Sequence, residues 1–143
     1  KACKFFLFEW NNKPVAILAM INTPRKGMAE ALAISRVVVL PDYQGLGIGQ
    51  KVCEFAAGVF KAQGHRIFIK TVNPALGEYF NRSEKWKGTV NNGKSKPASS
   101  FDTGRYRNRV TRVSYSHEFC GEGIEGFEEL IKPIADLRKK LTK

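Results

Sequence analysis

Apolar and polar positions along the chain change period several times, and each change marks an element. Phe5 to Trp10 and Val15 to Asn22 are runs rich in aromatic and β-branched residues, and the Asn11-Asn12-Lys13-Pro14 stretch between them suits a tight turn. The pattern predicts an antiparallel hairpin. Ala31 to Leu40 predicts the next strand, in which Val37, Val38 and Val39 are apolar on both faces, as in a central strand with helices covering the sheet. Pro41 ends it. From Gly49 to Gln63 the period becomes helical: Val52, Phe55, Ala56, Val59 and Phe60 fall on one face, and Gly64 supplies the stop. His65 to Val72 reads as a strand, and Asn73-Pro74 opens a second helix with a capping residue followed by proline at the first helical position. Strand, helix, strand in that order implies a right-handed crossover.

Beyond Trp86 the pattern weakens. Residues 87–104 are rich in Gly, Ser, Lys and Pro and predict a polar loop; Arg109 to Phe119 alternates like a strand. Glu128 to Leu141 predicts a helix with Leu130, Ile131, Ile134 and Leu137 on one stripe, limited or kinked by Pro133. The expected organisation is one domain over 1–143: a core over 1–86, the loop over 87–104, and a strand and helix over 105–143.

Composition narrows this. At 143 residues, 43% apolar and 11% aromatic, the chain can bury a real core, and its longest apolar runs are strand length. A soluble protein with no membrane span is expected. Cys3, Cys53 and Cys120 lie far apart with no C-x-x-C pair, so neither a zinc knuckle nor a disulfide framework is signalled, and a cytoplasmic location is expected. His65 and His117 lack metal-ligand spacing, and no metal is expected. The chain starts at Lys1 and enters strand-like sequence at once, with no readable signal peptide; the beginning of a longer polypeptide is expected to be missing.

Charge adds a second theme. Twenty-four Lys and Arg against thirteen Asp and Glu give a net +11. The stretch Lys87 to His117 holds seven of the basic residues and one acid, Asp102. Arg105, Arg107 and Arg109 alternate as one face of an extended segment would, with Tyr106 between them and Arg112 beyond, which suits a nucleic acid as partner. The plainer reading is a solvated strand edge, where positive charge blocks edge-to-edge pairing.

The strongest chemical signal is Arg36 to Val52, "RVVVLPDYQGLGIGQKV": a strand, a proline, three alternating glycines and a helix start. Such glycines let backbone N–H groups close on a phosphate at a helix N-terminus. A P-loop fails, because Gln50 separates Gly49 from Lys51 and Val52 carries no hydroxyl for magnesium. A dinucleotide fingerprint fails too, with Gln50 where the third glycine should stand. A third reading is an acyl-CoA pyrophosphate, and the plainer one is an ordinary glycine-rich strand-to-helix turn. Gln44, Gly47 and Gly49 fill a [Q/R]-x-x-G-x-[G/A] pattern behind a V-x-V-x-P run, and here the chain resembles the GNAT superfamily of acetyl-CoA-dependent N-acetyltransferases. The match is strongest over residues 34–64.

That resemblance implies a mixed α/β (α+β) fold. Its central sheet is mainly antiparallel, with a strand-loop-helix-strand acyl-CoA site and without the family's N-terminal helices. It implies acetyl-CoA as donor, with Val37, Val38 and Val39 along the pantetheine arm, Gln44, Gly45, Leu46, Gly47, Ile48, Gly49 and Gln50 at the pyrophosphate, and Asn73 near the arm. Many members carry a glutamate base where this chain has Ala33, which leaves a water relay, Glu9 or Glu30. Many also place a tyrosine acid seven residues after the asparagine. Here that position is Phe80 and the tyrosine is its neighbour Tyr79, about 100° away on a helix. Phe80 is then core, and Tyr79 faces the thioester if the helix begins one residue early. The plainer readings are a rim aromatic for Tyr79 and a cap for Asn73. Cys53 reads as a small buried residue rather than a nucleophile.

The expected function is transfer of an acetyl group from acetyl-CoA to an unidentified primary amine by direct attack on the thioester. The alternatives are a basic nucleic-acid-binding module, an RNA-directed acetyltransferase, and a domain that binds acyl-CoA without turning it over.

Overall fold

The computed structural model describes residues 3–23, 27, 30–95, 113–127 and 129. Its elements in order are β1 (Cys3–Trp10), β2 (Lys13–Asn22), β3 (Ala31–Val39), α1 (Ile48–Lys61), β4 (Arg66–Thr71), α2 (Pro74–Arg82), β5 (Trp86–Gly88), β6 (Lys94–Ser95) and β7 (Val113–Phe119). The β1–β2 hairpin turns on Asn11 and Asn12, both at positive φ (50° and 59°), the left-handed region that asparagine tolerates and that matches strand twist in a two-residue turn. The sheet runs β1-β2-β3-β4-β7-β5, with β6 also on β7. Among the described strands only β3 and β4 pair in parallel, as a crossover through α1 requires; the rest pair antiparallel.

Both helices pack on one face. Ala16, Leu18 and Met20 of β2, Leu32 and Ile34 of β3, and Ile67 and Ile69 of β4 meet Val52, Cys53, Ala56, Ala57 and Phe60 of α1 and Phe80 of α2 in one continuous core. Phe6 of β1 meets Phe60 edge-on at 5.7 Å, and Phe80 meets Trp86 at 4.5 Å. Helices on both faces were the expectation from the all-apolar Val37–Val39 run. On the second face, among the described residues, Val38 is 50% exposed, and its neighbours across the strands, Ile17 and Leu7, are exposed too, whereas Ala19, Ala31 and Phe68 on that face are buried.

Two further differences lie downstream. The loop expected from residue 87 contributes β5 and β6, because the free edge of β7 offers backbone partners and Trp86 finds an aromatic seat between Phe80 and Phe119. The expected C-terminal helix over residues 128–141 lies outside the described residues, apart from Glu129.

Candidate functional site

The parallel ladder between β3 and β4 stops at Ile34 and Ile69. Yet β3 continues to Val39 along β2, and β4 continues to Thr71 along β7, so the two central strands part and leave a cleft between them. A bulge makes the parting. The β2–β3 register shifts where Ser35 stands unmatched between Ile34 and Arg36, and its hydroxyl donates to the Ala19 carbonyl at 3.1 Å. The extra residue also reverses which side chains face inward. Val37 and Val39 pack against the core, and Arg36 and Val38 are exposed on the open face.

Backbone direction follows the same logic. The Leu40 N–H donates to Val15 O of β2, so by alternation along an antiparallel strand the polar groups of Val37 and Val39 turn away from β2, toward the cleft. A pantetheine arm, with two amides, is complementary to the part of that edge left free, the Val37 N–H and carbonyl and the Val39 N–H, the Val39 carbonyl being taken by Gln44.

The β3-to-α1 loop closes the far end. Gly45 and Gly47 sit at φ +79° and +75°, conformations that L side chains rarely adopt. Gly47 is the N-cap of α1 and no side chain caps it, so the first N–H groups of the helix, those of Ile48, Gly49 and Gln50, are free to point at a ligand with the helix dipole behind them. Gln44 folds back: its side-chain amide donates to the Val39 carbonyl at 2.9 Å, pinning the loop to the strand.

Together these residues line a cavity of about 580 Å³, in the range of small-molecule sites. Val37, Val38, Val39, Gln44, Gly45, Gly47, Ile48, Gly49, Gln50 and Asn73 all line it; Leu46 does not and is 72% exposed. A smaller cleft of about 120 Å³ occupies the strand parting and shares Val37, Asn73 and Leu76 with the larger cavity. Free amides at a helix start beside an unpaired strand edge fit a pyrophosphate joined to an amide-bearing arm.

Asn73 caps α2, its side-chain oxygen accepting from the Leu76 N–H at 3.2 Å. One turn on, Tyr79 does not line either cavity. Its hydroxyl donates to Glu54 Oε1 on α1, whose other oxygen accepts from Lys85 Nζ at 3.2 Å and lies 3.7 Å from Lys51 Nζ. Burial pushes the Glu54 carboxyl up, but the Tyr79 hydroxyl and the Lys85 and Lys51 ammoniums outweigh it and hold the carboxyl below its usual range. Tyr79 is raised in turn, by burial and by that carboxylate. Sequence reasoning missed Glu54. It is only 7% exposed because α2 packs over it, and no period along α1 announces a tertiary contact.

The other expected groups lie elsewhere. Glu9 pairs with Pro14 beside the hairpin turn, and Glu30 lies beside the α1–β4 turn, its backbone carbonyl 3.1 Å from a His65 ring nitrogen. Five residues of strand separate Glu30 from the parting at Ser35, roughly 16 Å at the rise of a β-strand. Neither carboxylate lines either of these two cavities. Cys53 is buried and pushed up to about 12, by burial and then by Glu54, which makes it a poor nucleophile. Among the described residues no group of His, Cys, Asp or Glu could hold a metal, and no helix is long and apolar enough to cross a membrane. Arg105, Arg107, Arg109 and Arg112 lie outside the described residues.

His117 is buried, at 1% exposure, and its Nε2 lies 2.9 Å from Asn81 Oδ1. That oxygen also accepts from Asn92, so the imidazole is the donor and Nδ1 carries the lone pair. Burial lowers the pKa of His117. A lowered folded value means that the unfolded chain takes the proton first. The stability that neutral His117 contributes is therefore complete above about pH 6.5, the unfolded value, and is lost as pH falls below it. Melting temperature against pH should begin to drop below pH 6.5, and a His117→Gln variant should drop less steeply there.

Comparison with known proteins bears on the fold and the family. The family model of the GNAT acetyltransferases matches residues 1–80. Among solved structures, the ribosomal-protein-S18-alanine N-acetyltransferase from Escherichia coli is 13% identical (87% of this chain, 72% of that one, TM-score 0.57). A GNAT acetyltransferase from Elizabethkingia anophelis with acetyl-CoA bound is 16% identical (82% and 75%, TM-score 0.59). A Bacillus subtilis acetyltransferase in complex with CoA is 11% identical (82% and 76%, TM-score 0.56). None of the curated proteins matches the sequence. With the glycine loop at the head of α1 and the parting of β3 from β4 both in place, and with the family model matching more than half its length, this chain belongs to the GNAT acetyltransferase family.

Proposed function

We propose that the protein transfers an acetyl group from acetyl-CoA to a primary amine by direct attack of the amine on the thioester. The observation that carries this is the continuity of the two cavities, from the free amides of α1 along the unpaired edge of β3 to the parting at Ser35. Pyrophosphate on the Ile48–Gln50 amides and pantetheine along Val37 and Val39 bring the thioester to the smaller cleft. There the open face of the sheet admits an amine, and holding the two reactants together removes most of the entropic barrier.

The proton steps follow from what lines that cleft. Ala33 supplies no base, and Glu9 and Glu30 are not at the parting, so the attacking amine loses its proton to water on the open face. A thiolate is a weak base, the cysteine side chain titrating near 8.5, so the leaving thiolate departs without a proton already in place and takes one from water afterwards. Tyr79 fastens α2 to α1 through Glu54 and so fixes the cleft wall that Leu76 forms.

The first test is thermal. Acetyl-CoA or CoA should raise the melting temperature, and ATP and NAD much less; equal stabilisation by ATP would remove the reading. Tyr79→Phe separates fastening from proton donation. Losing a hydrogen bond to a charged group costs about 1.5–3 kcal/mol of stability, and transfer should persist below the lowered melting point. A hundredfold fall in kcat at unchanged CoA affinity would instead make the hydroxyl the acid. The Ala33 position also suits a second reading, a domain that binds acyl-CoA without turnover; transfer to any amine excludes it.

A further inference from the structure

The smaller cleft carries charge that the transfer just proposed does not use. Arg36 and Lys70 line it from opposite strands, Arg36 beside the Ser35 bulge of β3 and Lys70 at the end of β4. Their side chains share the open face. Arg36 pairs with Ala19, itself buried, which alternates with the helix-side residues Leu18 and Met20, and Lys70 alternates with the helix-side residue Ile69. No Asp or Glu lines the cleft. The carboxylate on the neighbouring strand, Glu118, is taken by Arg66 through two hydrogen bonds of 2.6 and 2.7 Å. Among the described residues neither Arg36 nor Lys70 has an ion-pair or side-chain hydrogen-bond partner. The phosphates of a CoA do not explain the pair either, because the loop that would hold them, Gly45 to Gln50, borders only the larger cavity.

Resting on the acetyl-transfer reading, we propose that the acceptor is an amine that also bears a carboxylate, an amino acid being its simplest form, and that Arg36 and Lys70 hold that carboxylate at the mouth of the cleft. Two cations on either side of a groove give a carboxylate charge-assisted hydrogen bonds, with the Arg fork able to engage both oxygens. The held anion leaves its amine over the parting, which supplies the positioning that a missing base makes more necessary. The cleft, about 120 Å³, also receives the thioester, so only the amine of the acceptor enters it, with the carboxylate at the mouth and the side chain outside, on the open face. That face is apolar nearby, with Phe5 and Val38 exposed.

The experiment uses matched acceptors that differ only in the carboxylate: glycine against methylamine, leucine against isopentylamine, phenylalanine against 2-phenylethylamine. Each is assayed with acetyl-CoA, on the wild type and on Arg36→Gln and Lys70→Gln, with CoA affinity by calorimetry and a melt of each variant. The amino acid of each pair should have a kcat/KM about tenfold or more above its partner. Both variants should lose most of that ratio through KM while CoA affinity and melting temperature hold. Paired acceptors within twofold of each other, a ratio that survives both substitutions, or a preference for O-phosphoethanolamine over every amino acid would overturn the proposal. So would a switch in which Arg36→Gln alters the choice between acetyl-CoA and succinyl-CoA and leaves the acceptor alone, since the cations would then serve the acyl group. Normal CoA binding with transfer to none of the six amines overturns the carboxylate proposal and leaves the CoA site standing. Absence of CoA binding removes both.

Discussion

Gly47→Val should abolish measurable CoA binding while leaving a folded protein. Gly47 lies at φ +75°, so any side chain there is strained, and a β-branched one most of all. A strained position of this kind costs on the order of 1–3 kcal/mol, which an exposed loop beside a continuous core can absorb. The loss at the ligand is larger, because the branched side chain enters the space where the Ile48, Gly49 and Gln50 amides would close on a pyrophosphate. Gly49→Ala is the control. A Cβ at Gly49 meets Val39 Cγ2 at 3.5 Å and Val37 Cγ1 at 4.0 Å, ordinary contacts, and the residue needs no left-handed backbone. Alanine there should bind CoA within a few-fold of wild type. Calorimetry with CoA beside a thermal melt decides the matter. A folded Gly47→Val protein with normal affinity would show that the glycines only make a turn, and the pyrophosphate site would have to be sought elsewhere.

The part of this site that could be read from sequence is the part built locally. The Val37–Val39 run, the alternating glycines and the 3.6-residue period that begins at Val52 each depend on neighbours within a few positions, and the structure places them as strand, loop and helix almost to the residue. Asn73-Pro74 worked for the same reason, since a cap needs only its own helix. What could not be read depends on the partner across the fold. The Ser35 bulge is a fact about the register of β3 on β2, and it decides that Arg36 faces the open side and Val37 the core, which strict alternation from Ile34 would have reversed. Glu54 became a buried carboxylate because α2 lies over it, and Tyr79 turned to that carboxylate, although the period of α2 alone leaves it facing the cleft or the rim. The β5 and β6 pairings likewise required β7 to be in place first.

Gly77→Ala should weaken both the fold and CoA binding, against the direction that helix propensity predicts. Alanine is favoured over glycine by about 1 kcal/mol in a helix interior, so an isolated α2 would gain from the change. In the protein Gly77 is buried under Tyr115 of β7, and a Cβ there would come within 2.1 Å of Cγ and 2.3 to 2.5 Å of the two Cδ atoms of that ring. These are the root of the side chain, not its flexible end. Relief needs either a rotation of Tyr115 out of its place or a shift of the whole helix. Overpacking of this kind costs about 1–3 kcal/mol or more, enough to outweigh the propensity gain. The shift would not stay local, because α2 is also seated through Phe80 on Trp86 and through Asn81 on His117, and Leu76, one residue away, lines both cavities. Moving it changes the wall against which pantetheine would lie, so CoA affinity should fall several-fold even at temperatures where the variant is fully folded. Tyr115→Ala alone and the double variant complete the cycle: with the ring gone, Gly77→Ala should become neutral or stabilising, a favourable coupling of at least 1 kcal/mol between contacting sites. If Gly77→Ala proves as stable as wild type with Tyr115 intact, then α2 has freedom to move on the sheet, and the fixed cleft on which the acetyl-transfer reading depends would have to be replaced by one that forms only around its ligand.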